Sequence, residues 1–352
     1  MSGTPPTYVR TPRPPDAARR PLARRPYAYA WAAALLLCLC AAPVRAISPQ
    51  DHPALARFID DMAARHGFAR AELERLFAAV ERRPQIVAAM ERPREALPWH
   101  EYRRGFVTEE RARLGVRFWR ENSETLARAE RLYGVPPEFI VAILGVETRY
   151  GAHTGSHKVL EALTTLMLDY PRRAEFFRRE LEEFLLLSRE LGLDPLAVKG
   201  SYAGALGIPQ FIPSSYREYA VDFDRDGRRD LFASRADAIG SVAHFLRRHG
   251  WAAGQPVIER VRVAATPAAP TGFKTVRTLR EWMDEGVAPP QPPEPAAGER
   301  IAALIALEGE SETLYHLGYN NFYVITRYNR SQNYAMAVYE LARLIRRYEA
   351  DP

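Results

Sequence analysis

The segment Val141-Ala142-Ile143-Leu144-Gly145-Val146-Glu147-Thr148-Arg149-Tyr150-Gly151 constrains the fold more than any other stretch of the chain. It reads as an almost wholly apolar helix with an abrupt turn behind it, and so belongs in the interior of a helical body. One carboxylate, Glu147, is carried in with it. An ionised carboxyl there cannot be solvated cheaply, so it must be paired, hydrogen-bonded or held protonated near neutral pH. A protonated carboxyl poised at a cleft is what cleavage of a glycosidic bond requires. The competing explanation is a buried ion pair with Arg149 or a more distant arginine. Burial raises a carboxyl pKa and a close Arg149 would lower it, so acid catalysis requires burial to dominate.

The first 46 residues are expected to lie outside the fold. Arg19, Arg20, Arg24 and Arg25 precede an apolar run from Ala28 to Ala42, and Val44-Arg45-Ala46 places small residues at a cleavage spacing, which is a signal-peptide pattern. The run from Trp31 to Ala42 is short beside the roughly 20 apolar residues of a membrane span; an uncleaved anchor is the alternative. Cys38 and Cys40 each follow a leucine, a poor context for lipid attachment. This segment holds seven arginines and one acid, so the 49 basic and 43 acidic residues of the chain become 42 of each without it. The basic balance is mostly targeting signal, and nucleic-acid binding loses its main argument. Both cysteines leave with the segment, so the mature chain relies on core packing rather than disulfides. The expected location is the periplasm, with membrane association open, and the expected state is a monomer.

Periodicity predicts a mainly α, α+β chain. Leu55, Phe58, Ile59 and Met62 recur at helical spacing, as do Leu73, Leu76, Phe77 and Val80. Pro84, Pro93 and Pro98 punctuate short elements around Trp99 and Tyr102. A long amphipathic helix is predicted from about Glu109 to Tyr133, and Pro136-Pro137-Glu138 opens the next one. Further helices are expected over 158–168, 172–191 and 334–348. Strands are expected over 257–264, 273–279 and 301–308, among Pro- and Ala-rich pieces that include 289–293. The organisation predicted is an N-terminal helical part over 47–133, a catalytic core over 134–250, a small β-containing lobe over 251–310 and a C-terminal part over 311–352.

Three further constellations carry chemistry. Gly200 to Tyr216 packs three small-residue turns into eight positions, allowing close backbone approach to a ligand or a neighbouring helix. Ser201 and Gln210 offer hydroxyl and amide groups suited to acetamido sugars, and Tyr202 offers a ring for a pyranose face; tight packing alone is the plainer explanation. Asp222, Asp224, Asp226, Arg228 (through its carbonyl) and Asp230 follow the calcium-loop spacing with Gly227 at its sixth position. Position 12 is Ala233, which leaves Asp237 to close a loop spanning 222–237 around calcium or sodium. Third, Tyr319 to Ser331 is dense in aromatics and amides, with Tyr328, Asn329 and the nearby Tyr334 suited to a sugar cleft, and Phe322, Val324 and Ile325 readable as a core strand. HExxH, GxSxG and phosphate-loop motifs are absent.

Four of these stretches in order resemble the membrane-bound lytic murein transglycosylase B family. They are Val135-Pro136-Pro137-Glu138 with Gly145 to Gly151, Gly204 to Tyr216, Asp237 to Val242, and Asn321 to Asn329, within a resemblance running from about Phe58 to Leu344. The resemblance implies a lysozyme-like helical catalytic core with an accessory helical part and a small β lobe. It implies cleavage of the β-1,4 bond between N-acetylmuramic acid and N-acetylglucosamine in peptidoglycan, with 1,6-anhydromuramyl ends and no catalytic cofactor. It places the catalytic glutamate at Glu147, sugar-binding groups at Ser201 and Gln210, and the far wall of the cleft at Tyr328, Asn329 and Tyr334. The partners implied are glycan strands and other cell-wall enzymes. Lysozyme-like hydrolysis and non-catalytic glycan binding are the alternatives.

Overall fold

The computed structural model describes residues 51–264, 271–273, 276–291 and 295–351. The expected targeting segment, with Cys38 and Cys40, lies outside the described residues, as do parts of the Pro-rich stretches. Helices α1 (Pro53–His66), α2 (Arg70–Ala78), α3 (Pro84–Met90) and α4 (Trp99–Phe106) lead into α5 (Glu109–Glu121) and α6 (Ser123–Tyr133). The single helix expected over 109–133 is therefore two. Asn122 leaves the helical conformation, and its Nδ2 donates to the Phe118 carbonyl at 2.8 Å, a side-chain bond that competes with the helical ladder.

Helix α7 (Pro137–Thr148) is the axis of the body. Its residues are buried except Glu138 and Glu147, and Ile140, Ile143 and Leu144 are wholly covered. Each such side chain contributes roughly 1.5–3 kcal/mol when fully buried. The surrounding elements are β1 (His157–Lys158), α8 (Val159–Asp169), α9 (Ala174–Leu191), β2 (Lys199–Gly200), α10 (Pro213–Tyr219) and α11 (Arg235–Arg248). Beyond them lie β3 (Ile258–Arg260), β4 (Arg262–Val263), β5 (Val276–Thr278), α12 (Leu279–Asp284), β6 (Val287–Ala288), β7 (Ile301–Glu308) and β8 (Thr313–Gly318). Helices α13 (Asn320–Tyr328) and α14 (Gln332–Ala350) close the chain, and α14 packs along α7 and α5.

The lobe is an antiparallel sheet in the order β3-β8-β7-β5. Strand β7 is buried on both faces. Ala303, Ile305 and Leu307 join the helical core, while Ala302 and Leu304 face a second core around Trp282, whose indole nitrogen donates to the Ala302 carbonyl at 2.9 Å. The sheet thus runs past the expected lobe limit at 310, because β8 pairs with both β7 and β3. The strand reading of Phe322, Val324 and Ile325 is corrected: they lie on α13. Buried Asn321 fixes the start of that helix by accepting from the Ala252 amide at 2.8 Å and donating to the Ala252 and Gln255 carbonyls.

Candidate functional site

Glu147 sits at the C-terminal end of α7, where the apolar helix stops. Arg149 and Tyr150 both adopt left-handed conformations, with φ of 49° and 63°, and their amides return to the Gly145 and Leu144 carbonyls. Two successive non-glycine residues in this region cost energy that the surroundings must supply. The supply is visible: the Tyr150 hydroxyl donates to the Arg111 carbonyl at 2.8 Å, and its ring stacks on Phe118. Gly115 and Gly145 make room for that ring, since a Cβ on either would stand 2.6 Å from the hydroxyl oxygen. Thr148 fastens the turn to the wall opposite, donating to the Ile208 carbonyl at 2.8 Å and accepting from the Gly151 amide at 2.9 Å.

The carboxyl opens into a cleft of about 340 Å³ whose lining includes Glu95, Tyr102, Arg111, His153, Asn329 and Tyr334. Arg149 does not pair with Glu147. It turns outward to Glu110 at 2.6 Å, and among the described residues no other arginine pairs with Glu147, so the ion-pair explanation falls. The partner of Glu147 is instead Tyr334, whose hydroxyl donates to Oε1 at 2.6 Å. Burial pushes the Glu147 carboxyl up to about 7, the Tyr334 hydrogen bond opposes that rise, and the negative charge of Glu95 adds to it. The tyrosines answer to the same field. Burial, followed by the charge of Glu147, raises both Tyr328 and Tyr334 well above the usual phenol range, so each holds its proton and can donate.

Of the residues anticipated from sequence, Glu147, Asn329 and Tyr334 meet in this cleft. Asn329 Nδ2 donates to Glu95 Oε1 at 3.0 Å, holding that acid in place. Tyr328 stands behind Tyr334, the rings 6.3 Å apart and nearly parallel, and its hydroxyl donates to the Pro209 carbonyl at 2.6 Å. Ser201, Tyr202 and Gln210 belong to the adjoining loop and do not line the cavity itself. The Ser201 hydroxyl oxygen accepts from the Ala203 and Ala205 amides. Gln210, at φ 53°, donates from Nε2 to the Thr154 and Gly207 carbonyls, which leaves Oε1 for a ligand. Glu95, Tyr102 and Arg111 also line the cleft, and no motif marks them. The one sequence signal near Glu95 and Tyr102 is the Pro-flanked aromatic stretch around Trp99, and Arg111 has none.

In the acidic loop, Asp222, Asp224 and Asp237 bring carboxylate oxygens within 4.8 Å of one another. Oxygens about 2.3–2.6 Å from a shared ion lie at most about 4.6–5.2 Å apart, so the spacing of the trio fits a hard cation. Asp226 and Asp230 fall outside it. Asp226 Oδ1 accepts from the Arg228 amide and Asp230 Oδ1 from the Phe232 and Ala233 amides, just as Asp222 accepts from the Asp226 and Gly227 amides. Buried Asp237 accepts from the Phe223 amide at 2.6 Å and the Asp230 amide at 2.7 Å, tying both arms of the loop together. The loop reaches the Gly204 to Tyr216 segment through the Ile208 amide, which donates to the Leu231 carbonyl at 2.8 Å.

Comparison with known proteins agrees with this geometry. The transglycosylase SLT domain model matches residues 50–343. Membrane-bound lytic murein transglycosylase B of Escherichia coli (strain K12) is 42% identical over 305 residues, covering 84% of this chain and 83% of that protein. The Escherichia coli lytic transglycosylase Slt35 in complex with calcium superposes with a TM-score of 0.79 at 41% identity, over 87% of this chain and 97% of that one. Soluble lytic transglycosylase SltB1 from Pseudomonas aeruginosa gives a TM-score of 0.78 at 46% identity, over 85% of this chain and 100% of that one.

Proposed function

The chain belongs to the membrane-bound lytic murein transglycosylase family, and on that premise we propose that Glu147 is the single acid and base of its reaction. The enzyme cleaves the glycosidic bond of peptidoglycan without hydrolysis and leaves 1,6-anhydromuramyl ends. The observation that carries the assignment is a carboxyl held near pKa 7 by burial and engaged by a tyrosine hydroxyl rather than a cation.

With Tyr334 donating to Oε1, the transferable proton resides on Oε2. Oε2 gives it to the bridging oxygen as the C1–O bond of the muramyl residue breaks, and the bonding pair leaves with that oxygen. The substrate's own N-acetyl oxygen closes on C1, so no protein nucleophile is required. Glu147, now ionised and still held by Tyr334, takes the proton of the muramyl C6 hydroxyl. O6 then attacks C1 and the acetamido oxygen departs. Because the nucleophile is tethered in the same sugar, proximity favours it over water. Glu95 places a negative field across the cleft, which suits the positive charge developing at C1. Gln210 Oε1 and the Ser201 hydroxyl proton are the groups left to orient the acetamido and hydroxyl substituents.

The metal assignment is structural. Asp222, Asp224 and Asp237 would hold a calcium ion, as the Slt35 complex with calcium suggests, and its chemistry there is cross-linking of the loop. For location, an exported enzyme meets its substrate in the periplasm. Among the described residues no helix is long and apolar enough to cross a membrane. The test of the mechanism is digestion of purified sacculi with wild type and Glu147→Gln, analysed by mass spectrometry. Anhydro-ended products from wild type and none from the variant are expected. Reducing ends, or undiminished turnover by the variant, would overturn it.

A further inference from the structure

A second concavity, of about 330 Å³, lies where α4 and α14 meet strands β3 and β8, and nothing in the reaction above uses it. Its rim carries Arg103, Arg260, Arg343 and Arg347, against one acid, Glu340. Two of these arginines are already answered. Arg103 pairs with Glu340, and Arg260 with Glu312 at 3.1 Å. Arg343 reaches only the Tyr339 hydroxyl, at 3.2 Å, and Arg347 has no carboxylate partner among the described residues. The pocket wall also contains His316, 6% exposed, whose ring is close to the Leu314 backbone but whose Nδ1 makes no well-aligned hydrogen bond among the described residues. A buried polar atom left unpaired costs about 1–3 kcal/mol, and such atoms in folded proteins commonly mark a missing water or ligand. Between the cations the surface is aliphatic, from Val107, Ile258, Met336 and Leu344.

We propose that this pocket is an anion-binding site for the carboxylate-bearing peptide stems of murein. Paired guanidinia recognise carboxylates with directed N–H donors. The aliphatic floor suits short side chains between the charges. His316, its imidazole kept neutral by burial, offers one ring nitrogen to a bound group. The placement fits the substrate, because α4 and α14 also supply Tyr102 and Tyr334 to the Glu147 cleft. For this, a glycan strand engaged in the cleft must carry its peptides outward past these helices. The inference rests on the murein substrate class alone and not on the role assigned to Glu147.

The probe is a free murein pentapeptide, without sugar, titrated calorimetrically into the full chain. The Arg343→Gln/Arg347→Gln double variant changes two exposed side chains and is expected to fold normally, which circular dichroism checks. Expected are binding by wild type, at least tenfold weaker binding by the double variant, and a shift of the His316 ring proton resonance on titration. Activity on peptide-free glycan should be equal in both proteins. Unchanged peptide affinity in the double variant would overturn the proposal. So would displacement of the peptide by an equal concentration of inorganic phosphate, which would mark a simple anion site. Binding to phosphatidylglycerol vesicles that is lost in the double variant, without peptide binding, would assign the surface to lipid instead. Loss of cleavage in Glu147→Gln with peptide binding intact separates this site from the catalytic one.

Discussion

Replacing Glu147 by glutamine keeps the shape of the side chain and removes its ability to ionise, and the folded state should register that directly. The carboxyl moves from the ordinary glutamate value of 4.5 to about 7 on folding, chiefly through burial. At about 1.4 kcal/mol per pKa unit this displacement is worth about 3 kcal/mol. Below pH 4.5 both the folded and the unfolded chain hold the proton, so glutamine and glutamate should be equivalent. Between pH 4.5 and about 7 the unfolded chain ionises first, and the wild type loses stability as pH rises. Above about pH 7 the loss is complete. Glu147→Gln should therefore match wild type near pH 4 and exceed it by up to about 3 kcal/mol at pH 8. Tyr334 can still donate to the amide oxygen, so the hydrogen bond survives the exchange. Urea unfolding of both proteins at several pH values measures the difference. A constant difference across that range, or a variant less stable at pH 8, would refute the reasoning.

The same site makes opposed predictions for its two neighbours. Tyr334→Phe removes a hydrogen bond that favours the charged carboxyl, worth about 1.5–3 kcal/mol, so the alkaline limb of kcat/KM should move up by about one to two pH units. Glu95→Gln removes a like charge and should move that limb down; a shift in the other direction in either variant would contradict the assignment. Calcium should raise the Tm of metal-stripped protein, and Asp224→Ala should abolish the increase, as followed by scanning calorimetry. Gly145→Ala should lower the urea midpoint by the equivalent of about 1–3 kcal/mol, because its Cβ meets the Tyr150 ring; an unchanged midpoint would show that the turn can relax.

Local chemistry made some of this legible and tertiary assembly hid the rest. The apolar helix, its single acid and the turn behind it are contiguous, so a pattern of side chains announces the buried carboxyl. Strand β7 is equally visible, because its seven aliphatic and small residues before Glu308, mostly buried on both faces, read the same way from either side. Its partner β8 is not, because Tyr315 and His316 interrupt the apolar pattern. Phe322, Val324 and Ile325 suit a strand by composition, yet Asn321 commits the segment to a helix through contacts some seventy residues away. Glu95 shows the same limit at the site. Its importance comes from facing Glu147 across the cleft under the hold of Asn329, a juxtaposition of three distant segments that no spacing rule encodes. In the acidic loop the spacing marks the acids of one short segment, but Asp237 joins Asp222 and Asp224 only because the fold brings the start of α11 against them.

The most direct test of the Glu147 carboxyl is its own titration. Carbon-13 labelling of glutamate, with the Glu147 carboxyl resonance identified by its disappearance in Glu147→Gln, gives the midpoint in the intact enzyme. A midpoint close to 7 is predicted, with a proton still present on much of the population at neutral pH. A midpoint near 4.5 would mean that the group is ionised throughout the working range, and the acid step assigned to it would fail.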